Sequence, residues 1–93
     1  MDYFDHNATT PIAPEVLQVL QETQAEVYGN PSSIHGAGQR ARRVVETARA
    51  QVAALLGCDG KEVVFTSGGT EADNLAVLGT AEGHVITSAV EHP

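Results

Sequence analysis

The stretch EVVFTSGGTEADNLAVLG, residues 62–79, constrains the fold of this chain more than any other. Its apolar start, residues 62–66, reads as a buried strand, and three small residues (Ser67, Gly68, Gly69) end it. Glu71 to Leu78 reads as a short helix bounded by Gly79, and HVITS at 84–88 as a second buried strand. Strand, helix and strand within about 27 residues is the pattern of a βαβ unit and a parallel sheet. One such unit cannot cover both faces of its own sheet. The chain also stops at Glu91-His92-Pro93, just after a strand, at the carboxyl edge where such sheets keep their ligands. The expectation is the first portion of a larger α/β protein.

The rest of the chain fits that expectation. DYFD at residues 2–5 is a short strand candidate, ended by the polar run HNATTP. Pro14 suits the first turn of a helix that runs to about Tyr28, where Gly29, Asn30 and Pro31 stop it. GNPSSIHGAGQ is longer and more polar than a helix-to-helix link requires, so it reads as mobile or functional. Ala37, Ala41, Val44, Val45, Ala48, Val52, Leu55 and Leu56 then recur at three and four, and Gly57 supplies the stop. An amphipathic helix is predicted there. With no Trp and only four aromatic residues, any core must be aliphatic.

Charge and cysteine usage exclude several functions. A formal charge of −7 argues against a nucleic-acid surface, which needs a basic footprint to release counterions. Four of the five cations, Arg40, Arg42, Arg43 and Arg49, fall within ten residues. They read as the solvated face of one helix, a local anion or partner site being the sharper alternative. Cys58 is the only cysteine, so neither a disulfide framework nor a cysteine-based zinc cluster is expected. The histidines share no ligand-like spacing, and no metal site is expected. MDYFDHNATT has neither a basic leader nor a long apolar stretch, which makes the cytoplasm the expected compartment and leaves no membrane partner.

Three segments bear on chemistry. At Ser67–Thr70, outward backbone amides and a helix dipole can hold an anion, phosphate being the natural occupant. A tight turn, with Thr70 capping the helix and Asp73 completing a capping box, explains the same residues and is favoured by the local motif alone. Neither a Walker loop nor a dinucleotide fingerprint is present. His92, just beyond the second strand, could stack on a planar cofactor or shuttle protons; a surface loop histidine is an equal alternative. In DHNATTP, Asn7, Thr9 and Thr10 can bond back to their own backbone in a turn, and a polar wall beside a substrate is the second reading. Cys58 has acidic neighbours, Asp59 and Glu62, and reads as structural. Lys61, the only lysine, sits in a turn and makes a poor Schiff-base residue.

Taken together, DHNATTP, GNPSSIHGAG, FTSGGTEADNLA and ITSAVEHP resemble the N-terminal quarter of the cysteine desulfurases. These are class V aminotransferase-like enzymes of fold type I that use pyridoxal 5'-phosphate, and the resemblance covers essentially the whole chain. It implies an α/β fold in which residues 1–13 belong to the small domain and residues 14–93 begin the large cofactor-binding domain, with its mainly parallel sheet and flanking helices. It implies that Gly69 and Thr70 hold the cofactor phosphate, and that His92 stacks on the ring and takes part catalytically in proton transfer. Asn7, Ala8, Thr9 and Thr10 would lie near the substrate. The implied activity converts L-cysteine to L-alanine and passes persulfide sulfur to a scaffold protein for iron–sulfur assembly or tRNA thiolation, in a cytoplasmic homodimer.

The family's Schiff-base lysine, pyridine-facing aspartate, substrate arginine and nucleophilic cysteine come later, and Lys61 and Cys58 match none of them. The segment alone is therefore expected to be inactive. A selenocysteine lyase or another class V enzyme is the near alternative; a non-catalytic phosphate-binding α/β module is the distant one.

Overall fold

The computed structural model of the chain describes residues 1–92. The chain divides into two compact units, Met1–Gly60 and the residues from Lys61 onward.

The first unit holds two helices. Helix α1, Pro14–Glu26, starts without a side-chain cap at Ala13. Pro14 supplies a preset φ and lacks the amide that a first turn leaves unbonded. The helix ends two residues short of the expected Tyr28, because Val27 leaves helical geometry (φ −122°, ψ 83°) while its amide still bonds to Thr23 O at 2.8 Å. Beyond it Asn30 precedes Pro31, a position that disfavours helical backbone.

The long connection builds the start of the next helix. The Ser33 amide donates to Asn30 O and the Ser32 amide to Asn30 Oδ1, both at 2.9 Å, so Pro31 lies inside a tight turn. This turn lies against α2, Gly36–Leu56, at Gly38: a Cβ there would sit 2.6 Å from Asn30 O and 2.7 Å from Ser33 Cβ. His35 caps α2, its Nδ1 accepting from the Gly38 amide at 3.2 Å. At the other end Gly57 adopts the left-handed conformation (φ 68°, ψ 34°). The Cys58 amide then reaches Ala53 O at 2.9 Å and the Gly57 amide reaches Ala54 O at 3.4 Å, the two bonds of a Schellman closure.

Burial follows the predicted stripe of α2 only in part. Ala41 and Ala53 are buried, and Ala37, Val45, Ala48 and Val52 are half-buried. Leu55 and Leu56 are exposed, as are Val16, Leu17, Val19 and Leu20 of α1. The apolar pattern of both helices is therefore wider than the surface that covers it.

Among the described residues, the second unit carries a 3₁₀ turn, Gly60–Glu62, whose first residue belongs to the first unit, and helix α3, Gly69–Thr80. Residues 62–66 and 84–88, expected as paired strands, form no ladder, nor do residues 2–5; among the described residues there is no strand. A strand exists only through a neighbour's hydrogen bonds, and parallel neighbours come from distant sequence. Apolar runs identify residues suited to a sheet without supplying its other strands. The helix between the two runs does form, since its bonds are local. It runs two residues past Leu78, through Gly79 to Thr80, where the Thr80 hydroxyl donates to Ala76 O at 2.5 Å.

Candidate functional site

The turn into α3 is organised by side chains on either side of its glycines. The Thr66 hydroxyl donates to Gly68 O at 3.0 Å. From the first turn of the helix, Glu71 Oε2 accepts from the Ser67 amide at 3.1 Å and from the Ser67 hydroxyl at 2.6 Å. The hydroxyl first, and the amide second, hold the Glu71 carboxyl below its usual pKa. The expected capping arrangement is thus replaced. Gly68 occupies the cap position without a side-chain bond, and Asp73 does not reach back. Glu71 performs the return, four residues from its partner rather than three.

With Ser67 engaged, the donors left at this end of α3 are few and local. The Ala72 amide bonds to Gly68 O at 3.1 Å. Among the described residues, the amides of Gly69, Thr70 and Glu71 and the hydroxyl of Thr70 donate to no protein group. Such amides carry the positive end of the helix dipole. Asn74 Nδ2 bonds to Thr70 O at 2.8 Å and ties that residue into the helix.

Gly69, Thr70 and His92 line one open concavity of about 530 Å³, together with Asp73, Asn74, Val77 and Leu78. The structure therefore brings the three predicted cofactor-site residues to one place within the second unit. Of the other four lining residues, Asp73 was read only as a cap and Asn74, Val77 and Leu78 were not singled out, yet positions 70, 73, 74, 77 and 78 follow helical spacing. That periodicity, extended from Thr70, would have found them. Among the described residues no arginine or lysine lines the concavity, and Asp73 puts a carboxylate on its wall. The turn before His92 is closed by Ser88, whose hydroxyl donates to Glu91 Oε1 at 2.9 Å and accepts from the Val90 amide at 3.3 Å.

The remaining singled-out residues lie in the first unit or at its edge. The DHNATTP segment forms a turn at residues 5–9, with the Ala8 amide on Asp5 O at 3.0 Å. It is closed by Tyr3, whose hydroxyl lies 2.9 Å from Asp5 O and 3.1 Å from Thr9 O, rather than by the side chains of Asn7, Thr9 and Thr10. The Tyr3 and His6 rings meet edge to face at 4.9 Å. Arg40, Arg42 and Arg43 are exposed, while Arg49 pairs with Glu46 at 3.3 Å one turn back. Cys58 is half-buried in the closure of α2, and Lys61 is in the 3₁₀ turn. Among the described residues no group of three or more His, Cys, Asp or Glu could hold a metal, and no helix is long and apolar enough to cross a membrane.

Residues 2–93 match the family described as Aminotransferase class-V, and the chain belongs to that family. It is 48% identical to a NifS/IcsS protein homolog of Lactobacillus delbrueckii subsp. bulgaricus over 99% of this chain and 26% of the relative. It is 50% identical to a cysteine desulfurase of Frankia sp. over all of this chain and 24% of the relative. A selenocysteine lyase of Xenopus tropicalis is 42% identical over 97% of this chain and 25% of the relative. The chain thus spans about a quarter of the length of these relatives, matching their N-terminal part. No solved structure gives a significant match.

Proposed function

We propose that this chain is the N-terminal part of a cysteine desulfurase and supplies one wall of its pyridoxal 5'-phosphate site. The observation that carries the reading is the set of unbonded donors at the start of α3, which shares a concavity with His92. The donor set suits a phosphate monoester: three backbone amides and a hydroxyl lie at the helix end where the dipole favours negative charge. The glycines suit it as well. A Cβ at Gly68 or Gly69 would meet nothing within 4 Å, and neither residue has the left-handed φ that favours glycine. The chain's own packing does not require glycine there, and the open space leaves the backbone accessible to a ligand. With no cation on the wall and Asp73 present, attraction rests on the amides and the dipole.

When bound, the cofactor supplies an electron sink for carbanion chemistry at the substrate. The residues of this chain bind and orient. The Gly69 and Thr70 amides and the Thr70 hydroxyl hold the phosphate. His92 covers one face of the ring and holds or moves a proton at its imidazole nitrogen. Asn7, Ala8, Thr9 and Thr10 stand near the substrate. In the complete enzyme residues 1–13 join the small domain and residues 14–93 open the large one, whose mainly parallel sheet takes up the runs 62–66 and 84–88. Lysine, substrate-binding arginine and nucleophilic cysteine come from the rest of the polypeptide, so this segment alone is inactive.

The complete enzyme would convert L-cysteine to L-alanine and pass persulfide sulfur to a scaffold protein, for iron–sulfur assembly or tRNA thiolation, as a cytoplasmic homodimer. The selenocysteine lyase likeness keeps selenocysteine as the second substrate to test. A free-standing phosphate-binding module is disfavoured by the exposed apolar faces of α1 and α2. The test is cofactor titration of the full-length polypeptide. Thr70→Ala should weaken retention about tenfold, the scale of one hydrogen bond to a charged group. His92→Ala should change the bound cofactor's absorbance and slow turnover on L-cysteine. Wild-type titration for Thr70→Ala would end the phosphate assignment.

A further inference from the structure

We infer that the Glu71 carboxylate, acting through Ser67, is a positioning group of the phosphate-binding turn, setting the backbone and hydroxyl donors of the turn without itself touching the ligand. The inference rests on reading that turn as the seat of the phosphate. Glu71 Oε2 takes both donors of Ser67, the amide at 3.1 Å and the hydroxyl at 2.6 Å. Two consequences follow from that one contact. Ser67 is removed from the pool of phosphate donors, leaving the first helical amides and Thr70. The carboxylate itself is held on Ser67 instead of settling on the free amides of its own helix N-terminus, where the dipole would welcome it.

The contact also restrains a flexible element. Gly68 and Gly69 have open space around them and lose the most backbone freedom on ordering. Thr66, bonded to Gly68 O at 3.0 Å, fixes the turn from one side, and the Ser67–Glu71 pair fixes it from the other. A ligand entering such a turn meets a backbone already restrained, which saves it the ordering cost on binding.

The experiment uses the full-length apo polypeptide, titrated with pyridoxal phosphate and separately with pyridoxal, which lacks the phosphate. Glu71→Ala is expected to weaken pyridoxal phosphate about three- to thirty-fold, the range for losing one capping interaction, and to leave pyridoxal unchanged. Glu71→Gln keeps an acceptor and should restore most of the loss. Adding Ser67→Ala to Glu71→Ala should cost nothing further, because the two residues act as one unit. Thr70→Ala separates the layers of the argument. If it weakens pyridoxal phosphate while Glu71→Ala does not, the positioning role falls and the site stands. If Thr70→Ala has no effect, the site reading falls and takes the inference with it. Equal weakening of both ligands by Glu71→Ala would mark a general structural role and overturn the inference.

Discussion

Glu71 is exposed, yet its carboxyl has a defined partner, and that combination has a pH signature. Its pKa is lowered, first by the Ser67 hydroxyl and then by the Ser67 amide. A carboxylate of lowered pKa contributes stability that is present above its unfolded pKa and is lost as pH falls through the folded one. The start of α3 should therefore remain clasped at neutral pH and open as pH falls through the lowered value. Following the Glu71 side-chain carboxyl by NMR in the full-length polypeptide should give a midpoint below 4.5, its ordinary value. A midpoint at or above that value would dissolve the clasp. Sequence reasoning located this turn but assigned its chemistry to Thr70 and Asp73. The capping-box rule looks three residues ahead, whereas the side chain that returns here lies four residues beyond Ser67. The local motif alone favoured a tight turn at Gly69 and Thr70 and left His92 between a pocket and a surface loop, and it was the family resemblance that joined the three; Asn74, Val77 and Leu78 required the helix face to be followed onward.

At the scale of elements, what was legible divides by the range of the bonds that make each one. Helix α2 was readable end to end, from the three- and four-residue recurrence to Gly57, since its capping and ladder bonds are local. Helix α1 was readable from Pro14, and overshot by two residues because apolar spacing continues into Val27 after the backbone has turned. The strands at 62–66 and 84–88 were not verifiable from their own residues, as a ladder belongs to two strands. The connection before α2, read as mobile or functional, is ordered against α2 through Gly38. This packing predicts a sharp contrast between neighbours. Gly38→Ala places a Cβ 2.6 Å from Asn30 O and should cost about 1–3 kcal/mol, the usual range for overpacking. Gly36→Ala, with nothing within 4 Å, should be neutral or slightly stabilising. Thermal unfolding of the two variants, in the full-length polypeptide, would check the pair, and equal melting temperatures would refute the close approach.

On the scale of the whole molecule, the apolar side chains that are buried among the described residues are Ala41, Ala53 and Val63, and none of them fully. Val19 is 61% exposed and Val16 56%, on a face of α1 that presents little but hydrocarbon. Faces of that kind mark surfaces made to be covered. The 93-residue segment expressed alone should accordingly bind a hydrophobic dye and self-associate. A monodisperse monomer with a cooperative melt would instead favour the free-standing module. The turn before α3 behaves differently from these faces. Each bond that shapes it, Thr66 to Gly68 and Ser67 to Glu71, joins residues no more than four apart. Contacts of such low sequence separation close on the microsecond scale or faster, whereas parallel strand pairing waits on long loops. On the function proposed above, the seat for an anion precedes the sheet in time: during synthesis, this segment would hold a formed turn while the runs expected to pair beside it were still waiting for partners.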